Sequence, residues 1–103
     1  MIKDIIVQDC IALVEVKTQL LAGKNIQIID VRRAEEFAEK HIREAINIPL
    51  DALEGVLSQL DKSYFFITTC GKGGGRSATG AAVLQQAGFQ SAWLCGGTFG
   101  WVE

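Results

Sequence analysis

The residues best suited to chemistry lie in one run, Cys70-Gly71-Lys72-Gly73-Gly74-Gly75-Arg76-Ser77. A cysteine supplies a nucleophile once it is a thiolate. The four glycines Gly71, Gly73, Gly74 and Gly75 permit positive φ and place no Cβ between backbone and ligand. Successive loop amides can therefore turn inward as a nest for an anion. Lys72 and Arg76 add fixed positive charge, and Arg76 offers a planar fork of donors to an oxyanion. A helix beginning near Arg76, with Ser77 in its first turn, would aim its free amides and positive dipole end at the same loop. Cysteines in such settings can fall from about 8.5 to roughly 3.5–7.5, so Cys70 is expected to be armed near neutral pH. The same cradle would attract a sulfur- or phosphorus-centred oxyanion. Two other readings remain open: an inert thiol in a flexible glycine turn, and a nucleotide phosphate loop. The second lacks its glycine-lysine-serine pattern, because Arg76 rather than lysine precedes Ser77.

The elements that must position this loop can be read along the chain. Residues 64–69 are aromatic and β-branched and predict a central strand ending at Cys70. Residues 76–86 predict a helix with a small-residue face of Ala78, Ala81 and Ala82, stopped by Gly88. Cys70 thus falls at the carboxyl end of a strand, the edge where open α/β sheets bind ligands. Upstream, residues 5–11 suggest one or two short extended pieces, residues 1–8 being an extension or a first strand. Residues 13–22 predict a helix with Leu13, Val16, Leu20 and Leu21 on one side, stopped at Gly23. Residues 26–30 and 45–48 read as short strands, and residues 34–40 as a charged helix. Leu50, Leu53, Leu57 and Leu60 recur at helical spacing, and residues 91–95 form a last strand before the Gly96-Gly97 turn. Alternating strands and helices predict βαβ units and a largely parallel sheet.

A chain of 103 residues has the usual size of one domain, so residues 1–103 are expected to form a single α/β unit. A net charge of −2 argues against a nucleic-acid protein. No apolar stretch approaches the roughly 18 residues of a membrane helix, and the opening residues lack the apolar core of a signal peptide. A cytoplasmic protein without membrane contact is expected. Cys10, Cys70 and Cys95 are odd in number and show no CxxC spacing, so neither a disulfide framework nor a metal site is expected. Cys10 is read as a buried thiol. No cofactor is implied.

Several segments, weak singly and strong in order, complete the picture. They are Ile28-Ile29-Asp30-Val31-Arg32, Glu36-Phe37, His41-Ile42, Ala45-Ile46-Asn47-Ile48-Pro49, the loop from Cys70 to Ser77, Gly88-Phe89, and Leu94-Cys95-Gly96-Gly97 followed by Trp101. Together, over residues 11–101, the chain resembles the rhodanese-like (thiosulfate sulfurtransferase) family of the small single-domain kind. The resemblance implies a central parallel five-stranded sheet flanked by helices on both faces. It implies that Cys70 takes the sulfane sulfur of thiosulfate as a persulfide. It also implies transfer of that sulfur to cyanide in vitro, or to a thiol or protein acceptor in the cell. Gly71, Lys72, Gly73, Gly74, Gly75, Arg76 and Ser77 would then bind the substrate.

The departures from that family concern the loop first. Such loops usually place the arginine one residue earlier, whereas Arg76 lies six positions after Cys70. The lengthened loop resembles those of dual-specificity phosphatases of the cell-division-cycle type and of some arsenate reductases. Those phosphatases have histidine where Thr69 stands, and an acidic residue in the loop, which is absent here. The sulfurtransferase is favoured over a phosphatase or arsenate reductase, with a non-catalytic sulfur-carrier or regulatory module as a third reading. Lys40-His41-Ile42-Arg43-Glu44 also departs from the family's glycine and proline-glycine pattern. Asp30 and Arg32 are read as structural, by the resemblance, and His41 as structural rather than a general base. Glu35, Glu36 and Glu39 read as a solvated helix face. Cys95 is read as a buried thiol, with resolution of a Cys70 persulfide as the sharper alternative. Trp93, Phe99 and Trp101 suggest a contact patch, consistent with a monomer or weak homodimer.

Overall fold

A computed structural model describes residues 10–102. The readings made for residues 1–9 lie outside the described residues. The extended piece that enters them is β1 (Cys10–Ile11), followed by α1 (Leu13–Leu21), β2 (Ile26–Asp30), α2 (Ala34–Glu39) and β3 (Ala45–Asn47). Next come α3 (Leu50–Leu53) with a 3-10 continuation (Glu54–Gln59), β4 (Phe65–Thr69), α4 (Gly75–Gln86), β5 (Gln90–Leu94) and α5 (Gly97–Val102). The strands form one five-stranded sheet in the order β1-β5-β4-β2-β3, and every pairing is parallel. All carboxyl ends therefore lie along one edge. The rhodanese-like fold expected from the resemblance is the fold observed.

The apolar runs of β2 and β4 are buried on both faces, as parallel strands require. One core forms around Val16, Ile28, Ile42, Ile67 and Leu94, against α1 and α5. The other forms around Ile29, Val31, Leu53, Phe66, Leu84 and Phe89, and it includes Cys70.

Some expectations need correction. In α4 the inward face is Ser77, Gly80, Ala81 and Leu84, while Ala82 is exposed. The helix can approach the sheet because of Gly80: a Cβ there would sit 3.3 Å from Val31 and 3.4 Å from Thr68. In α1, Leu21 is exposed rather than on the inner side. The leucine-spaced helix after Pro49 keeps α-geometry for only one turn and tightens to 3-10 from Glu54. Gly55 favours the break, and Leu53, Leu57 and Leu60 still reach the core.

The larger correction concerns the cysteines. Cys10 and Cys95 form a disulfide, with Cα atoms 5.0 Å apart. Neither is a buried thiol, and Cys95 is bound to Cys10, not held ready for Cys70. Parallel pairing explains it. Cys10 lies opposite Trp93 and Ile11 opposite Leu94, and the Cys95 amide donates to the Ile11 carbonyl at 3.0 Å. Cysteine spacing along the chain carries no trace of that register.

The bridge spans a sequence separation of 85 and so limits the unfolded chain strongly. Reduction, or Cys95→Ser, is expected to lower stability by about 2–5 kcal/mol. The check is the urea midpoint measured with and without reductant, which should move in the native chain and stay put in the variant.

Candidate active site

Cys70 follows β4 directly and is the free cysteine among the described residues. It is buried, at 5% exposure. Its Sγ lies 3.1 Å from the Gly74 carbonyl and 3.3 Å from Ser77 Oγ, and Ser77 Oγ–H donates to the same carbonyl at 2.9 Å. A thiol has one proton to share between those acceptors. Once the thiol ionises, Ser77 is the neighbour of the two that can turn its hydroxyl to donate.

The loop is shaped from α5. The Thr98 amide donates to the Cys70 carbonyl at 2.8 Å, and the Phe99 amide to the Gly71 carbonyl at 3.0 Å. All peptide bonds among the described residues are trans. In a planar trans peptide the carbonyl and the following N–H point in opposite directions. The amides of Gly71 and Lys72 therefore point away from α5, toward the inside of the loop. Among the described residues, the amides of residues 71–76 donate to no protein acceptor. They are free for an anion.

Gly97 makes this contact possible. With φ of 64° it lies in the left-handed region, and a Cβ would collide with the carbonyls of Cys70 and Gly71 and with the Gly73 amide. Gly73, Gly74 and Gly75 adopt positive φ as the sequence suggests. Gly71 does not; it is needed because Phe99 lies against it, 3.1 Å from where a Cβ would sit. Lys72 is exposed on the loop.

Asp30 and Arg32 are structural, as read. Both are buried, and Arg32 grips the Asp30 carboxylate through Nε at 2.9 Å and Nη2 at 2.8 Å. Arg32 also donates to the Lys40 carbonyl at 2.7 Å. Thr98 Oγ1 donates to Asp30 at 3.3 Å and lies 3.1 Å from Thr69 Oγ1. His41 stacks on Phe37 at 3.8 Å and bonds its carbonyl through Nδ1 at 2.7 Å. Of the proposed contact patch, Phe99 is 48% exposed, while Trp93 and Trp101 are half-buried and Trp101 packs beneath Lys17.

Glu36 is the residue whose role the sequence did not disclose. It is not simply solvated: its carboxylate holds the Arg76 guanidinium at 2.9 and 3.3 Å and accepts the Arg33 amide at 3.0 Å. The Arg76 hydrogen bonds, helped by the Arg33 amide, pull its pKa from 4.5 to about 2. Arg76 is raised in turn, chiefly by Glu36. Glu36 is the third residue of α2, facing the helix start, but nothing in its spacing points to a partner forty residues on. Thr98 was missed for the same reason.

The rhodanese-like domain family matches residues 13–103, and the chain belongs to that family. A curated relative, "Putative sulfurtransferase YtwF" of Bacillus subtilis (strain 168), is 31% identical over 85 residues, covering 82% of each chain. "Protein HIGH ARSENIC CONTENT 1, mitochondrial" of Arabidopsis thaliana is 33% identical over 87 residues, covering 73% of this chain and 52% of the relative. The chain thus spans about half the length of that second relative. The crystal structure of a rhodanese-like domain protein from Staphylococcus aureus superposes with a TM-score of 0.81 at 34% identity, covering 92% of each chain.

Two outcomes are expected from this geometry. Gly97→Ala should lose about 1–3 kcal/mol of stability through backbone strain and overpacking, and should lower reactivity of Cys70 toward an alkylating anion. Thermal unfolding and iodoacetate labelling rates check both. Because the folded pKa of Glu36 is depressed, its ion pair contributes fully above the unfolded value of 4.5 and is lost as pH falls through about 2. A carbon-13 NMR titration should place the midpoint near 2 and return it toward 4.5 in Arg76→Gln.

Proposed function

We propose that the chain is a sulfurtransferase carrying sulfane sulfur as a Cys70 persulfide. The observation behind this reading is the loop itself, with the Cys70 and Gly71 carbonyls held by α5 and the amides of the loop left for an anion beside a free cysteine. Family membership and the printed name of the Bacillus subtilis relative support the same chemistry. Cys70 is the proposed catalytic residue, with Gly71, Lys72, Gly73, Gly74, Gly75, Arg76 and Ser77 binding the substrate.

In the proposed reaction the Cys70 thiolate attacks the outer sulfur of thiosulfate. The bond to the sulfonate sulfur breaks, and sulfite leaves with its electron pair. Amides of the loop stabilise the terminal persulfide anion. A thiolate acceptor, or cyanide, then attacks the terminal sulfur, and the Cys70–sulfur bond returns its electrons to Cys70 as thiolate. The acceptor is proposed to be a thiol or a protein, and the setting the cytoplasm. Among the described residues no helix is long and apolar enough to cross a membrane.

A phosphatase or arsenate reductase is the second reading. Arg76 already binds a carboxylate in the manner of an oxyanion clamp, and a relative's printed name refers to arsenic content. The test uses the native chain and Cys70→Ser with thiosulfate plus cyanide, and separately with an aryl phosphate and with arsenate plus a thiol. Thiocyanate release at least about a hundredfold above the variant is expected, the scale of loss when a nucleophile is removed. Phosphate release or arsenite formation without thiocyanate overturns the proposal. A sulfur gained on Cys70 without turnover would instead make the chain a carrier.

A further inference from the structure

Arg76 is the strongest oxyanion ligand of the loop, yet part of its fork is already engaged. Both guanidinium contacts go to the Glu36 carboxylate, at 2.9 and 3.3 Å. That carboxylate does not swing freely. It also accepts the Arg33 amide at 3.0 Å and faces the Arg33 side chain at 3.7 Å. The segment that carries it is tied down by the buried Arg32, which holds Asp30 on one side and the Lys40 carbonyl on the other. A substrate anion that wants Arg76 meets an internal competitor there.

The surroundings repeat this charge balance. Beside Arg76 lies a cavity of about 490 Å³ lined by Val31, Arg33, Pro49, Leu50, Asp51 and Arg76. Both of its arginines, Arg33 and Arg76, face the Glu36 carboxylate, and Asp51 lines the same cavity. Its remaining wall is apolar, and Val31 belongs to the same buried cluster as Cys70. A volume of this size is ordinary for a small organic ligand.

We infer that Glu36 is a positioning residue that sets donor selectivity, engaging part of the Arg76 fork so that the loop binds small dianions such as thiosulfate less tightly than an unpaired Arg76 would allow and shifts its preference toward sulfur donors of lower charge with a carbon body. Organic persulfides and thiosulfonates are that class. The inference rests on the sulfurtransferase reading for the identity of the donor, and on the Glu36–Arg76 geometry for the selectivity.

The experiment compares thiosulfate with methanethiosulfonate, a monoanion in which a methyl group replaces one oxygen. Glu36→Gln keeps the size and the hydrogen-bond acceptor for the Arg33 amide while removing the charge. In turnover, Glu36→Gln should lower KM for thiosulfate about fivefold and for methanethiosulfonate about twofold, with kcat unchanged for both. In a chain made unreactive by Cys70→Ser, calorimetric Kd values for the two anions should shift in the same ratio when Glu36→Gln is added. An unchanged ratio of the two donors, or equal weakening of both, overturns the inference, because a residue that merely holds the loop in shape would act on both alike. If native Cys70 gains sulfur from neither donor, the sulfurtransferase reading fails by itself, and the calorimetric ratio alone decides the role of Glu36.

Discussion

The Cys70 loop depends on a buried ion pair that does not touch it. Asp30 ends β2 and Arg32 follows two residues later, both removed from water. A buried charge that loses its partner is left without hydration, so each half obliges the other to stay. The remaining capacity of Asp30 goes to its own Arg32 amide at 3.1 Å and to Thr98. Asn47 on β3 adds donors to the Asp30 and Arg32 carbonyls, both at 3.0 Å. The network thus fastens the carboxyl edge of β2 to its neighbour strand on one side and to the start of α5 on the other. From there α5 dictates which way the peptides after Cys70 face. The backbone course of the loop is a downstream effect of satisfying a carboxylate in the core.

The repeating part of this design was legible in the residues. Apolar, β-branched runs for β2 and β4 and the glycine-rich step into α4 have local causes, so their positions follow from the chain itself. The role of Asp30 and Arg32 came through the resemblance, because two charged residues two apart say nothing alone about burial. What escaped were pairs made by topology. Cys10 meets Cys95 because β1 and β5 are adjacent and parallel. Arg76 meets Glu36 because the start of α4 and the start of α2 share the carboxyl edge. Such contacts depend on strand order and register, which no local pattern encodes. The small-residue face of α4 was misplaced for a milder reason: alanine is tolerated in water as well as in the core, so Ala82 carried no directional information, while Gly80 did the packing.

Two kinds of glycine serve the site, and they are not equivalent. Gly73, Gly74 and Gly75 give the loop its backbone path. Gly97 lies outside the loop and supplies absence of bulk, allowing the α5 amides to reach the loop carbonyls. The motif after β5 therefore shapes the loop as much as the run after Cys70 does.

The Cys10–Cys95 bridge also decides how the fold bears mechanical load. It joins the first described strand to the residue just after the last one. Tension applied between the two ends of the chain enters at Cys10, crosses the sulfur–sulfur bond and leaves from Cys95. The sheet lies in the slack portion; among the described residues α5, beyond Cys95, is in line with the pull, and with it the Thr98 and Phe99 bonds to the Cys70 loop. With the bond reduced the same tension falls on β1, a two-residue edge strand that pairs only with β5, and peels the sheet from that side. A covalent link far from the nucleophile in sequence thereby acts as a mechanical shunt around the core.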